Sequence, residues 1–429
     1  MAADTGATAK DIRGCPLHDI KWFDGEFLQD PFPAYERLRN EAPVWRDPAS
    51  GVVFVSDYAH IIEVNSHPKV YSNKFGERLR SGSINAMDPE ELKILMQGIP
   101  VVDTMLTADP PRHTRYRKLT MKAFTMKRVD GMEAYIAKVC NELIDGFIDK
   151  GACEFKSAFA AHVPMTVIAD SLGVPRSDMD TFRKWSDAFI DQLGGVADRE
   201  RRIECAQLIV DFQKYFIGKI EEKRANPTED VISDIVHADL AEEGDNRKMD
   251  HPELISIIQQ LLVAGNETTA HTLTAGLYYL IQNPDQMAKL QAHPELVPNF
   301  VEETLRMLSP TNNMWRVVTQ DTSLGGVDMK EGDLVLVRYG SANRDETKFK
   351  DSNDFHVDRD NAKEHLAFGA GIHHCIGAYL ARKEMQLAFP IVLERLKNPR
   401  FAKGLNSFRY SPNVLMRGVL ELHIEFDKA

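Results

Sequence analysis

The stretch HPELISIIQQLLVAGNETTAHTLTAGLYYLIQ, from His251 to Gln282, is apolar on nearly every face of a helix. Asp250 stands where an N-cap belongs, and Pro284 stands where the helix must stop. About 30 residues at roughly 1.5 Å each carry such a helix across a whole domain. A helix that is apolar all round has to be buried on most sides, so the rest of the fold must be built around it. Its middle, Ala264-Gly265-Asn266-Glu267-Thr268-Thr269, is nevertheless small and polar. A glycine inside a helix costs about 1 kcal/mol against alanine, and buried Glu and Thr need partners. Such a conflict with local rules is expected at a functional site.

Helical periodicity dominates elsewhere, with candidates at 130–149, 158–172, 177–193, 197–224 and 229–240. YAHIIEVNSHP reads as a helix stopped by Pro68, and DPPRHTRYRKLTMKAF as a basic amphipathic helix opened by Asp109 and two prolines. Strands are expected in PVWRDPASGVVFVSD (Pro43–Asp57), at 315–321 and 333–340, and at the end near RYSPNV and GVLELHIEF. The segment 75–102 has little sustained pattern and reads as a binding loop or lid, with a flexible tip at Gly194-Gly195. Residues 1–15 read as a mobile polar tail without the apolar core of a signal peptide.

Five cysteines (Cys15, Cys140, Cys153, Cys205, Cys375) show no paired spacing, so a reducing cytoplasm is expected. No uncharged apolar run reaches 18 residues, and no membrane span is expected. The net charge of −12 argues against bulk nucleic-acid binding.

One cysteine sits in unusual company, in FGAGIHHCIGAYLAR from Phe368 to Arg382. Zinc does not fit, because no second cysteine lies at C-x-x-C spacing and His373 and His374 are adjacent. The C-x-x-C-H of covalent haem attachment is absent too. Four motifs follow one another along the chain: HTRYR (113–117), AGNETT (264–269), EETLR (302–306) and FGAGIHHCIG (368–377). Together they resemble the bacterial cytochromes P450, haem-thiolate monooxygenases, and the resemblance spans nearly the whole chain. It implies a single mainly α domain over residues 16–429, with a long helix over haem b and a small β-rich lobe. Haem b and O2 are the implied cofactors, with electrons reaching the iron from NAD(P)H through separate partners.

The resemblance makes Cys375 the axial iron ligand, whose thiolate favours O–O cleavage. Gly369, Gly371 and Gly377 would let backbone approach a flat macrocycle, and Phe368 would shield the sulfur. Cations for the haem carboxylates would be His113 and Arg117, i and i+4 on one helix face, together with Arg316 and His373. Glu303 and Arg306 match the family's E-x-x-R pair, with Arg359 as third member of a structural network. Glu267 and Thr268 match the acid–alcohol pair that delivers protons to oxygen, and Ala264 and Gly265 leave it space.

The substrate contacts depart from the pattern. Gln260, Asn312 and Asn313 place three amides near an otherwise apolar pocket; either they meet a polar group on the substrate or they bond protein instead. Met105, Leu106, Phe189, Val263 and Met314 are candidate apolar lining.

The implied reaction inserts one oxygen atom into a C–H bond or alkene of a terpenoid, steroid or alkyl-aromatic. No G-x-G-x-x-G follows a strand, so a ferredoxin or flavodoxin must bring electrons. Arg112, Arg115, Lys118, Lys122, Lys127 and Arg128, extended by Arg382 and Lys383, form the basic run expected to meet it. A monomer is expected. A peroxide-driven peroxygenase would usually lack the Glu267-Thr268 pair, and a non-catalytic haem sensor would not need it.

Overall fold

The computed structural model describes residues 14–76, 87–194, 198–238 and 247–428. The central helix runs His251–Gln282, the span its pattern predicts. Asp250 accepts the Glu253 N–H (3.0 Å), and Glu253 accepts the Asp250 N–H (2.9 Å), a reciprocal capping box. The Tyr116 hydroxyl donates to the same Glu253 carboxylate (2.7 Å), which ties helix Arg112–Met121 to the start of the central one. No helix among the described residues is long and apolar enough to cross a membrane; burial comes from protein.

Helices His162–Ser171, Val297–Leu308 and Ala378–Arg395 pack directly on the central helix. Gly276 lets the last two come close. A Cβ there would sit 2.3 Å from the Phe389 ring and 3.2 Å from Phe300, whose rings meet edge to face at 4.7 Å.

The β-rich lobe is a five-stranded sheet in the order Val44–Arg46, Val53–Val55, Leu334–Val337, Met314–Val318, Tyr71–Ser72. The Val53–Val55 and Leu334–Val337 pair is parallel and the other neighbours are antiparallel. This sheet carries Arg316 toward the cysteine loop. A second sheet joins Ala152–Glu154, His423–Lys428 and Leu396–Phe401.

Several expectations are corrected. Between 75 and 102 a short helix forms at Pro89–Leu95, opened by Asp88 as N-cap. RYSPNV is no strand: only Tyr410 bridges, to Val419, and the missing partner of His423–Lys428 is Leu396–Phe401. The helix expected over 158–172 divides into a π turn, Lys156–Ala160, and His162–Ser171. That over 229–240 ends at His237, its last two positions lying outside the described residues, as do 1–13 of the tail, 77–86 of the lid and Gly195 of the tip.

Because Phe389 and Phe300 leave no room at position 276, Gly276→Ala should destabilise the protein by about 1–3 kcal/mol through overpacking. A lower urea midpoint with unchanged slope would show it.

Candidate active site

The loop from Phe368 to Gly377 is shaped by two left-handed glycines, Gly369 (φ 68°) and Gly371 (φ 70°). At Gly371 space also demands glycine, since a Cβ would stand 2.4 Å from the Asn65 carbonyl oxygen. The Cys375 N–H donates to the Phe368 carbonyl (2.9 Å) and closes the loop. The sulfur then lies at the start of helix Ala378–Arg395, where the N–H groups of Gly377 and Ala378 donate to it. Burial pushes the thiol up, while those two N–H groups and the charges of Arg117 and Arg382 act in the opposite sense. Protein encloses the sulfur on the helix side, yet Cys375 as a residue remains exposed. A thiolate ligand needs that arrangement: donors behind it and an open face in front.

Behind the loop runs a buried ionic scaffold. Arg382 lies 4.4 Å from the centre of the Phe368 ring and forks onto Glu302 (2.6 and 2.9 Å), which also meets His365 (3.1 Å). Burial pushes the Glu302 carboxyl up, but His365 and Arg382 bring it down to about 2. Its neighbour Glu303 is fully buried and bidentate to Arg306 (2.7 and 2.9 Å), with Arg359 at 3.0 Å from both oxygens. Arg306 further donates to the carbonyls of Asn343 (2.8 Å), Ser352 (2.7 Å) and Asp354 (3.1 Å). The Glu303–Arg306–Arg359 network is therefore present as the sequence predicts. Glu302 and His365 were not anticipated, and the adjacent acid pair at 302 and 303 was their only signal.

The four predicted cations also come together. The His113 and His373 rings lie 4.1 Å apart, and His373 is held down to about 3 by burial and by the charges of His113, Arg316 and Arg117. His113 is lowered by burial and by Arg117. Asp109 opposes this at His113, but its oxygens are taken by Ser72 Oγ (2.5 Å) and Asn73 N–H (3.0 Å). Arg316 is oriented by Asn65 Oδ1 (2.8 Å) and the Tyr339 hydroxyl (3.3 Å), neither legible in sequence. Buried His113 Nδ1 and His373 Nε2 have no partner. Two guanidiniums beside two imidazoles with orphaned ring nitrogens fit a dianionic ligand such as the propionates of haem.

On the central helix, Ala264 is exposed although it lies at the midpoint of a helix buried on both sides of it, and Gly265 and Thr268 are half-buried. That face is left open by the packing around it. The Thr268 hydroxyl donates back to the Ala264 carbonyl (2.8 Å), the i−4 contact that bends helices. Glu267 turns the other way, with His271 Nε2 at 2.7 Å and Lys156 Nζ at 3.6 Å. Burial raises its carboxyl, but these partners bring it down to about 2. Asn266 bonds Ser186 Oγ (3.1 Å) and ties helix Met179–Gly194 to this spot.

Each of the three amides bonds protein, while Asn312 Nδ2 and Asn313 Oδ1 are buried without a partner. Gln260 donates to Thr104 Oγ1 (2.7 Å) and accepts the Leu106 N–H (3.1 Å). Asn312 accepts from the Tyr35 hydroxyl (3.2 Å), and Asn313 donates to the Val414 carbonyl (2.5 Å). Phe189 is buried edge to face against Phe212 at 5.0 Å, so it packs a helix pair. Met105, Val263 and Met314 are half-buried, and the Met105 backbone bonds the His373 ring.

The described part of the lid is tethered. Arg199 forks onto Asp88 (2.7 Å) and reaches Glu90 (3.0 Å), and Arg202 meets Glu91 (3.4 Å). Buried Gln213 accepts the Ile99 N–H (2.9 Å) and donates to the Ile99 carbonyl (3.1 Å). The basic run also narrows. Arg115 is buried against Glu253 (3.4 Å), Arg128 pairs with Asp234, Arg382 with Glu302, and Lys383 with Asp130 and Glu133. Arg112, Lys118, Lys122 and Lys127 stay exposed.

A cysteine at a helix start, basic groups gathered beside it and a back-bonded Thr268 next to an exposed Ala264 together describe a haem-thiolate oxygenase. The Cytochrome P450 family profile matches residues 179–399. The steroid C26-monooxygenase of Mycobacterium tuberculosis is 33% identical over 410 residues, covering 95% of this chain and 97% of that one. Cytochrome P450 107B1 of Saccharopolyspora erythraea is 35% identical over 410 residues with the same coverage. Among solved structures, CYP109E1 from Bacillus megaterium in complex with testosterone superposes with TM-score 0.80 at 30% identity, covering 93% of this chain and 99% of that one. The chain belongs to the cytochrome P450 family and is a P450 monooxygenase, with haem b and O2 as cofactors and electrons supplied by separate redox partners.

Removing the Gln213 amide strips both Ile99 backbone groups of their partner. Gln213→Ala should accelerate amide exchange across 98–102 by about tenfold or more, read by hydrogen–deuterium exchange.

Proposed function

We propose that the protein hydroxylates a steroid-sized hydrophobic molecule with electrons from a small acidic ferredoxin, Cys375 holding the haem iron. The sulfur's position carries this reading: it accepts two helix N-terminal N–H groups and stays open on its other face. The steroid C26-monooxygenase relative and the testosterone complex of CYP109E1 support a steroid-sized substrate. Five cysteines without a disulfide support a cytoplasmic setting.

When bound, haem supplies the iron at which O2 is reduced, one atom entering the substrate and the other leaving as water. His113, Arg117, Arg316 and His373 would hold its two carboxylates, with Asn65 and Tyr339 fixing the Arg316 fork. Phe368, clamped by Arg382, keeps water from the sulfur, and Gly369, Gly371 and Gly377 carry the loop beneath. The Glu303–Arg306–Arg359 network keeps the loop's approach rigid. Ala264 and Gly265 leave room for oxygen, and the Thr268 hydroxyl holds a water there. Glu267 takes protons from outside the cleft and passes them inward. Val263, Met105 and Met314 line the apolar cleft, whereas Gln260, Asn312, Asn313 and Phe189 shape it through protein contacts.

The donor would dock over Arg112, Lys118, Lys122 and Lys127. Arg117 acts on the sulfur, and Lys383 pairs Asp130 with the helix behind Cys375, so this surface lies on the cysteine side. Local positive charge on a chain of net −12 is the complement an acidic partner needs.

The reduced carbon monoxide complex should show the long-wavelength Soret band of thiolate ligation, and Cys375→His should abolish it. Native, fully reduced protein lacking that band would overturn the assignment. A titration with steroids, terpenes and alkyl-aromatics should give a low-to-high-spin shift at the lowest concentration for a steroid; a shift confined to another class would move the substrate there. Reversing charge in Lys122→Glu/Lys127→Glu should raise the donor's KM about tenfold at low salt with kcat unchanged. The difference should shrink as ionic strength rises.

A further inference from the structure

We propose that His271 is the positioning residue that fixes the charge and direction of the Glu267 carboxylate. The inference rests on the reading of Glu267 as the group that passes protons inward. It adds a residue one helical turn further on, outside the AGNETT motif.

The carboxylate has both of its partners in place. His271 lies four residues after Glu267 on the same helix face, with Nε2 2.7 Å from Oε1. The ring is almost fully buried, 2% exposed. Lys156, from the π turn beneath, reaches the same carboxylate oxygen at 3.6 Å and His271 Nε2 at 3.4 Å. A carboxylate only accepts, so the proton between ring and acid sits on Nε2. Nδ1 is buried without a partner, so all of the ring's hydrogen bonding passes through Nε2. The ring is thus a one-directional donor aimed at Glu267.

The C-terminal segment locks it there. A Cβ at Gly418 would stand 2.1 Å from the His271 ring, so bare backbone lies flat against the imidazole. The Ser411 N–H donates to the Gly418 carbonyl (2.9 Å) and holds that backbone in place. The charged groups around the pair are Lys156 from the π turn, and Asp187 with Arg183 from helix Met179–Gly194. Arg417 of the C-terminal segment turns away, onto the Leu28 and Gln29 carbonyls (2.8 and 3.0 Å).

Each turnover consumes two protons with two electrons and one O2. Glu267 would take each proton from solvent and release it toward Thr268. His271 gives up no proton in the balance; it sets how tightly the carboxylate is held in its charged, outward position. Burial alone would raise the Glu267 carboxyl, and His271 is the first of the groups that bring it down to about 2. Taking the ring away should therefore raise the pH at which Glu267 protonates and free the carboxylate to turn.

The test uses the haem-loaded protein with its redox partners and a substrate found in the spin-shift screen. His271→Leu fills the slot without a donor, His271→Gln restores a neutral N–H at the same reach, and Glu267→Gln is the reference. For His271→Leu we expect the acid limb of coupled product formation to move to higher pH. The solvent deuterium isotope effect on kcat should change about twofold or more, with substrate KM unchanged. His271→Gln should return both toward the native values. Gly418→Ala, which pushes the ring off from a distance, should reproduce the leucine phenotype in part, and it decides the matter if His271→Leu fails to take up haem. Native isotope effect and pH profile in His271→Leu and Gly418→Ala, beside an altered Glu267→Gln, would overturn the role of His271 alone. An unaltered Glu267→Gln would overturn the proton-relay reading itself. A glutamine variant no better than leucine would also overturn the donor role.

Discussion

The buried guanidinium of Arg306 organises more of this molecule than any other single group. It is wholly inaccessible, forks onto Glu303 and gathers three backbone carbonyls between residues 343 and 354. Arg359 adds a second cation on the same carboxylate, donates to the carbonyls of Lys350 and Asp351 and shares that of Asp354 with Arg306. A charge taken out of water tolerates only one arrangement of partners, because each unpaired donor would cost several kcal/mol. The irregular chain between Asn343 and Arg359 thereby acquires one conformation without forming a helix or strand. The cysteine loop follows directly, and its precision is inherited from this anchor.

The two faces of the site use charge in opposite ways. Around the cysteine loop, burial first and then the charges of His113, Arg316 and Arg117 hold His373 down to about 3. That arrangement is poised for an anion. On the central helix, burial raises the Glu267 carboxyl, but His271 and Lys156 bring it down to about 2. That arrangement holds a charge in readiness without releasing it. The back-bonded Thr268 and exposed Ala264 lie near the midpoint of the central helix, where the burial of the flanking turns is interrupted.

Much of this was legible because it depends on neighbours in sequence. The central helix was readable to its end residues: Asp250 caps it, Pro284 stops it, and apolar residues on all faces require burial. The cysteine loop was readable because left-handed turns and close backbone approach select glycine at Gly369 and Gly371. Glu303 with Arg306 is one helical turn. The amides of Gln260, Asn312 and Asn313 were ambiguous, since an amide bonds a loop backbone as readily as a ligand; each bonds protein here, and Asn312 and Asn313 each keep one buried atom without a partner. The basic run looked continuous because sequence shows charge but not direction; Arg115 and Arg128 turn back onto carboxylates more than 100 residues away.

The chain by itself determined which residues are candidates for the chemistry: a single cysteine between glycines, an acid and an alcohol side by side in a long helix, and basic residues in two of its motifs. These are local choices, set by backbone conformation and helical spacing. Only the tertiary structure decided their partners. Asn65 on Arg316, Glu302 on Arg382, Lys156 on Glu267 and Gly418 against His271 all join segments far apart in sequence. Such pairs form because buried polar groups must find one another wherever the packing of helices brings them. No spacing along the chain encodes that meeting.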